Sequence, residues 1–123
     1  MSVFNDKLEI LEYIKNKFMF ATFLNNIKGQ CFYSHNLNNV GCAIGCLLNS
    51  EDAEYFDTAF NTLGNSAIST LYDEPLYSPT LDKYFDFDSI DIDFLSTLQT
   101  LHDDASTVDE FLRSLDTLIF EYT

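Results

Sequence analysis

Thr107-Val108-Asp109-Glu110-Phe111-Leu112-Arg113-Ser114-Leu115-Asp116-Thr117-Leu118-Ile119 is the stretch whose reading decides the fold class. It opens on an S/T-x-x-E capping box, in which the threonine hydroxyl and the glutamate carboxylate satisfy helix-terminal N–H groups reciprocally. Behind the box, Phe111, Leu112, Leu115, Leu118 and Ile119 recur at three- and four-residue steps, so they line one stripe of an amphipathic helix. A helix with a single apolar face must bury that face against other elements, and the search for those elements runs outward from here.

Immediately upstream, Ile92, Leu95, Leu98 and Leu101 again share one face, which predicts a helix capped by Asp88 or Ser89 and running to about His102. At the other end of the chain Leu8, Leu11, Ile14, Phe18, Ala21, Leu24 and Ile27 predict a helix from Asn5, the expected N-cap, to a stop at Gly29. Asn49 or Ser50 is placed to cap a helix through Phe60, with Glu51, Asp52 and Glu54 near its positive end, and Ala43 to Leu48 is expected to begin a buried helix. Leu63-Gly64-Asn65-Ser66 reads as a turn and Ala67 to Leu71 as a helical turn, while Pro75 and Pro79 mark irregular chain around Leu76 and Tyr77. Gln30–Tyr33 and Val40–Cys42 flank an asparagine-rich turn, Ser34 to Asn39, which predicts a short β-hairpin around residues 30–42. The expected fold is therefore mainly α (α+β), a compact helical domain spanning residues 1–123 with one short hairpin.

At 123 residues and 46% hydrophobic composition the chain can bury one core, and with four glycines and two prolines it offers no interdomain linker. Six Lys and Arg stand against twenty Asp and Glu, a formal charge of −14. That charge disfavours direct binding of nucleic acid, which depends on cations displacing counterions from phosphates. The imbalance is uneven: residues 1–41 hold four lysines against Asp6, Glu9 and Glu12, whereas residues 42–123 hold Lys83 and Arg113 against seventeen acids. The opening MSVFNDKLEI lacks the basic and apolar regions of an export signal, and no apolar run approaches membrane-spanning length. The expectation is a cytoplasmic protein without membrane contact, whose three cysteines, Cys31, Cys42 and Cys46, are free thiols.

Cys31-Phe32-Tyr33, then Gly41-Cys42-Ala43-Ile44-Gly45-Cys46-Leu47-Leu48, and later Phe94-Leu95-Ser96-Thr97-Leu98-Gln99-Thr100-Leu101-His102-Asp103 form a recurrent pairing. Over about half its length the chain thereby resembles a group of small, largely uncharacterised bacteriophage proteins that join a C-x-Y segment and C-A-I/V-G-C-L to a downstream L-Q-x-x-H-D. Relatives often follow the cysteine segment with a proline-containing acidic turn, but Asn49-Ser50-Glu51-Asp52 has no proline. The resemblance brings no established activity. It implies phage origin, and so action in the cytoplasm of an infected bacterium.

Three chemistries are written in residue types. Cys31, His35, Cys42 and Cys46 have the ligand types tetrahedral zinc prefers, in the spacing C-x3-H-x6-C-x3-C, which matches no standard zinc module; an apolar run is also where cysteine serves as a small buried hydrophobe. Cys42 after Gly41 is a candidate nucleophile with His102 as base and Asp103 as its orienting group, although neighbouring helical residues point about 100° apart, which would keep Asp103 from the ring. Asp86, Asp88, Asp91 and Asp93 offer oxygen ligands without the glycine and terminal glutamate of an EF-hand. No catalytic set is complete, and no metal or other cofactor is expected.

The acids supply the leading functional expectation. Residues 51–110 hold fifteen carboxylates against Lys83 alone, and from Asp82 to Asp93 acids alternate twice with apolar residues. In extended chain, residues two apart lie about 6.6 Å apart on one face, a spacing like that of phosphates along a strand. The expectation is a phage-encoded binding protein that inhibits a bacterial nucleic-acid-binding protein, of defence or CRISPR type, by occluding its basic surface through nucleic-acid mimicry. Its contact set is Asp82, Asp86, Asp88, Asp91 and Asp93 with Tyr84 and Phe87. Rings as dense as Tyr55, Phe56, Tyr72, Tyr77, Tyr84, Phe85 and Phe87 suit an interface with that target or a homodimer, unless irregular chain folds over the core and buries them. The alternative is a small cysteine-dependent or zinc-assisted enzyme.

Overall fold

The computed structural model describes residues 3–19, 26–27, 30–31, 33, 42–64 and 67–123, with residues 26–27 and 30–31 described as backbone. Its helices are α1 (Lys7–Phe18), α2 (Ser50–Asp57), α3 (Ala59–Leu63), α4 (Ile68–Asp73), α5 (Ser78–Tyr84), α6 (Ile92–Asp104) and α7 (Val108–Tyr122), with strands β1 (Asn26–Ile27) and β2 (Gln30–Cys31) and a 3-10 turn at Gly45–Leu47. The mainly α class read from the sequence is the one observed.

The two long amphipathic helices at either end of the chain find each other: α1 packs on α7, and α6 joins them. Their junction is aromatic. Phe18 of α1 meets Phe111 of α7 edge-on at 4.9 Å, and the buried His102 ring of α6 stands at 5.7 Å from the first and 5.4 Å from the second. Edge-to-face rings at these spacings add about 0.5–1.5 kcal/mol beyond the area they bury. Thr107 caps α7 by accepting from the Glu110 N–H, and Glu110 reaches back to the Ser106 N–H.

Several boundaries differ from the expected ones. Asp6, not Asn5, caps α1 through the Glu9 N–H, while the Asn5 N–H donates to the Glu9 carboxylate. The helix closes at Phe18 instead of Ile27, because Asn26 and Ile27 spend their backbone groups on antiparallel pairing with Cys31 and Gln30. The observed hairpin thus lies before the expected 30–42 one; Gln30–Cys31 is a strand but pairs backwards, Cys42 is in a bend, and the turn at 34–41 lies outside the described residues. Ala43 to Leu48 is buried as expected but forms only the 3-10 turn. The helix from Asn49 breaks at Thr58 into α2 and α3, and α3 ends on Gly64 in the left-handed region. Pro79 sits in the first turn of α5, where its missing N–H costs nothing, so the stretch expected to be irregular is partly helical. Asp91 caps α6 in place of Asp88 or Ser89.

The N-terminal segment lies parallel to the chain between α5 and α6. The Phe4 N–H donates to the Tyr84 carbonyl at 2.7 Å, the Asp86 N–H donates to the Phe4 carbonyl at 3.0 Å, and the Phe4 and Phe85 rings stack at 5.9 Å. A second tie runs through the interior: Gln99 of α6 accepts from the Ile68 N–H at 2.9 Å and donates to the Tyr33 hydroxyl at 2.8 Å. Beside it Gly45 approaches so closely that a Cβ would stand 2.2 Å from the Tyr33 carbonyl oxygen.

Gly45 and Gly64 separate space from backbone conformation. Gly45→Ala, overpacked against backbone that cannot swing away, is expected to cost about 3 kcal/mol or to prevent folding. Gly64→Ala has open space but a φ of 75°, so its cost is about 1 kcal/mol. Urea denaturation of both variants checks the order, and equal losses would contradict the close approach at Tyr33.

Candidate acidic partner-binding surface

The segment from Asp82 to Asp93 is a helix end, a turn and a helix start, not a strand. The Asp86 carboxylate accepts from the Asp88 N–H at 3.1 Å, and the Asp86 carbonyl accepts from the N–H groups of Ser89 and Ile90, which closes the turn. This corrects the expected extended pairs Asp86/Asp88 and Asp91/Asp93: local hydrogen bonds to Asp86 and burial of Phe85 and Ile90 bend the chain, so the phosphate-like two-residue spacing is lost.

Each acid has its own setting. Asp82 is exposed on α5, Asp86 half-buried, and Asp88 exposed in the turn. Asp91 accepts from the Phe94 N–H at 2.7 Å and pairs with Lys7 at 3.0 Å; Asp93 is exposed in the first turn of α6, where its charge faces the positive helix end. The hydrogen bond from Lys7, with that from the Phe94 N–H, holds the Asp91 carboxyl below its ordinary range, and the same contact raises Lys7. Lys7 also stands over the rings of Phe94 and Tyr122 at 5.6 and 5.4 Å. Among the described residues Asp82, Asp86, Asp88 and Asp93 make no ion pair.

The two rings of the contact set face inward. Tyr84 is buried, donates to Asp52 at 2.6 Å and accepts from the Asn49 N–H at 3.1 Å; burial, reinforced by Asp52, raises its hydroxyl. Phe87 is half-buried against Tyr72 at 4.8 Å and Phe85 at 6.0 Å. Of the seven mid-chain aromatics, Phe56, Tyr77 and Phe85 are buried as well, Tyr72 is half-buried, and only Tyr55 is exposed. The irregular chain does fold over the core.

The cysteines depart from expectation. Cys42 is disulfide-bonded and buried, which overturns three free thiols and removes it as a thiolate ligand or nucleophile in this state. Cys46 is a buried free thiol whose pKa burial pushes up to about 12, leaving it neutral and unreactive near pH 7. His35 lies outside the described residues, and among the described residues no three His, Cys, Asp or Glu side chains gather as a metal site. Contrary to the angular argument, Asp103 does reach His102, Oδ1 to Nδ1 at 3.3 Å, in the last turn of α6. That pair is walled by Phe18 and Phe111.

No family model, curated protein or solved structure matches the chain. No helix among the described residues is long and apolar enough to cross a membrane.

Alkylation before reduction is expected to spare Cys46 in the native protein, label it after denaturation, and reach Cys42 only after denaturation and reduction; peptide mapping reads the order. The Asp91 pair has a defined pH window. A lowered carboxylate stabilises the fold above its ordinary pKa and loses that effect as pH falls through the lowered value, and a raised lysine loses its effect only in the alkaline range. Asp91→Asn keeps a capping oxygen, so its melting deficit should be small at pH 7 and vanish as pH falls below the lowered carboxylate range. Asp91→Ala should lose about 1 kcal/mol more, for the cap.

Proposed function

We propose that the chain is an acidic binding protein of phage origin that inhibits a bacterial nucleic-acid-binding protein, of defence or CRISPR type, by covering its basic surface. One observation carries the reading: Asp82, Asp88 and Asp93 are exposed without a cationic partner among the described residues, in a chain of net charge −14. Leaving like charges unneutralised costs self-repulsion in the folded state, a cost that a cationic partner would relieve. The bent backbone replaces a strand-like ladder with carboxylates held by a helix end, a turn and a helix start. Mimicry here means a fixed negative surface and not a copy of phosphate spacing. The sequence resemblance supplies the setting, the cytoplasm of an infected bacterium, in which such a surface would compete with nucleic acid.

The contact set divides accordingly. Asp82, Asp88 and Asp93 are the carboxylates free to meet a partner, Asp86 and Asp91 fix the backbone that carries them, and Tyr84 and Phe87 anchor that backbone to the core. Charged contacts of this kind speed encounter and weaken with salt, since they are screened over about 10 Å at 0.1 M.

Pull-down from bacterial lysate with the immobilised chain, at low and high salt, is expected to recover a nucleic-acid-binding protein whose retention falls steeply with salt. The triple variant Asp82→Asn, Asp88→Asn, Asp93→Asn should weaken retention at least tenfold with little change in melting temperature. A recovered partner indifferent to both salt and the triple variant would contradict the proposal.

A further inference from the structure

Outside the 82–93 segment lies an exposed apolar pair that the acid-segment reading leaves unused. Tyr55 on α2 is 39% exposed and Leu76, in the turn before α5, is 55% exposed. They are neighbours, because the Tyr55 hydroxyl donates to the Leu76 carbonyl at 2.8 Å. The Tyr55 ring also rests on buried Tyr77 at 4.9 Å, and Tyr77 shares a hydrogen bond with Thr58 one turn along from Tyr55. An exposed aromatic held at its tip and along its face has little rotamer freedom left to lose, which is the property of a binding anchor.

Its surroundings are mostly negative, with Lys83 the one cation close by among the described residues, paired to Asp52 of α2 at 3.8 Å. Glu51 lies one helical turn before Tyr55 on the outward side of α2, Glu54 beside it is exposed, and Asp73 and Glu74 immediately precede the turn carrying Leu76. No Lys or Arg occurs anywhere from residue 42 to residue 82. A second copy of the chain would bring the same negative rim against this one, and charge complementarity excludes it as the favoured occupant.

We infer that the Tyr55–Leu76 knuckle with its carboxylate rim is the energetic centre of the partner interface, and that it receives an apolar side chain flanked by lysine or arginine on the partner protein. The inference rests on the acidic-binder reading and moves its hot spot from the 82–93 segment to α2 and the turn at Leu76. The carboxylates of the 82–93 segment then steer, and the knuckle holds. Division of this kind between a central apolar anchor and surrounding charge is common where a few residues carry most of the affinity.

Two synthetic peptides of equal positive charge test it, one of lysine and glycine only and one of lysine, glycine and leucine, titrated at low salt into the 15N-labelled chain. The leucine peptide should bind at least tenfold more tightly, with amide shifts concentrated at residues 51–58 and 73–77. Leu76→Ser, which changes no charge and removes an exposed side chain, should abolish that tenfold advantage while its melting temperature stays near wild type. The Asp82, Asp88, Asp93 triple variant should lower affinity for both peptides and keep the advantage. An advantage that survives Leu76→Ser, or shifts confined to residues 82–93, would overturn the knuckle and leave the acidic-binder reading standing. Failure of both peptides to bind at low salt would overturn that reading as well. Sedimentation of wild type as a dimer that Leu76→Ser converts to a monomer would assign the knuckle to a second copy and overturn the inference.

Discussion

Tyr33, fully buried, accepts at its hydroxyl from the Gln99 side-chain amide, and Gln99 in turn accepts from the N–H of Ile68. This short polar chain joins the segment before the 3-10 turn, α4 and α6 inside an otherwise apolar interior. Its demand is severe because a buried polar group left without a partner costs about 1–3 kcal/mol. At the other end of the same residue the Tyr33 N–H donates to Asp57 of α2 at 2.6 Å, and the Tyr33 backbone lies against Gly45. One residue thus fixes the relative positions of α2, α4, α6 and the 3-10 turn. Burial raises the Tyr33 hydroxyl well above the ordinary tyrosine range, so it stays protonated near neutral pH.

The second constraint is the docking of Phe4 along Tyr84 to Asp86. Because the backbone of Phe4 pairs there and its ring stacks on Phe85, the chain between α5 and α6 is core on one side and solvent on the other. Apolar Phe85 and Ile90 turn inward and Asp82, Asp88 and Asp93 outward. The alternation of acidic and apolar residues therefore records a half-buried surface, as alternation should, but one built from turns and helix ends and not from extended chain. Tyr84 closes the arrangement by bonding both Asp52 and the Asn49 N–H at the start of α2.

How far the sequence could be read follows from the range of each signal. Capping is local, and Asn49 and Thr107 were legible because a short polar side chain followed by acids and an apolar stripe has few other readings. Where two or three capping residues crowd together, as at Asn5-Asp6 and Asp88-Ser89-Asp91, the choice belongs to tertiary contacts: Asp91 is preferred as the residue that also meets Lys7. Pro79 was read as a breaker, although the first helical turn tolerates proline. The hairpin escaped because the helical stripe of α1 continues in sequence past the point where the backbone leaves it. Long-range facts left no local trace: the Gln99 relay, the burial of Tyr84, and the disulfide at Cys42, which ran against an expectation drawn from compartment and not from geometry. Leu76, next to a proline in a stretch read as irregular, carried no signal of its exposure beside Tyr55.

Charge links these levels. Eight of the twenty acids, Asp6, Glu9, Glu51, Asp52, Asp91, Asp93, Asp109 and Glu110, stand at the caps or first turns of α1, α2, α6 and α7, where the helix dipole favours them by about 0.3–1 kcal/mol each. Much of the negative charge is therefore accommodated by the fold that carries it, and the compact state bears a net charge of −14 without a matching set of cations. Added salt screens the remaining repulsion within the chain and also the attraction of the same carboxylates for a basic partner. Screening of the first favours the compact chain, and screening of the second disfavours the complex. Loss of partner binding with rising ionic strength, at unchanged melting temperature of this chain, therefore measures the electrostatic share of the interface.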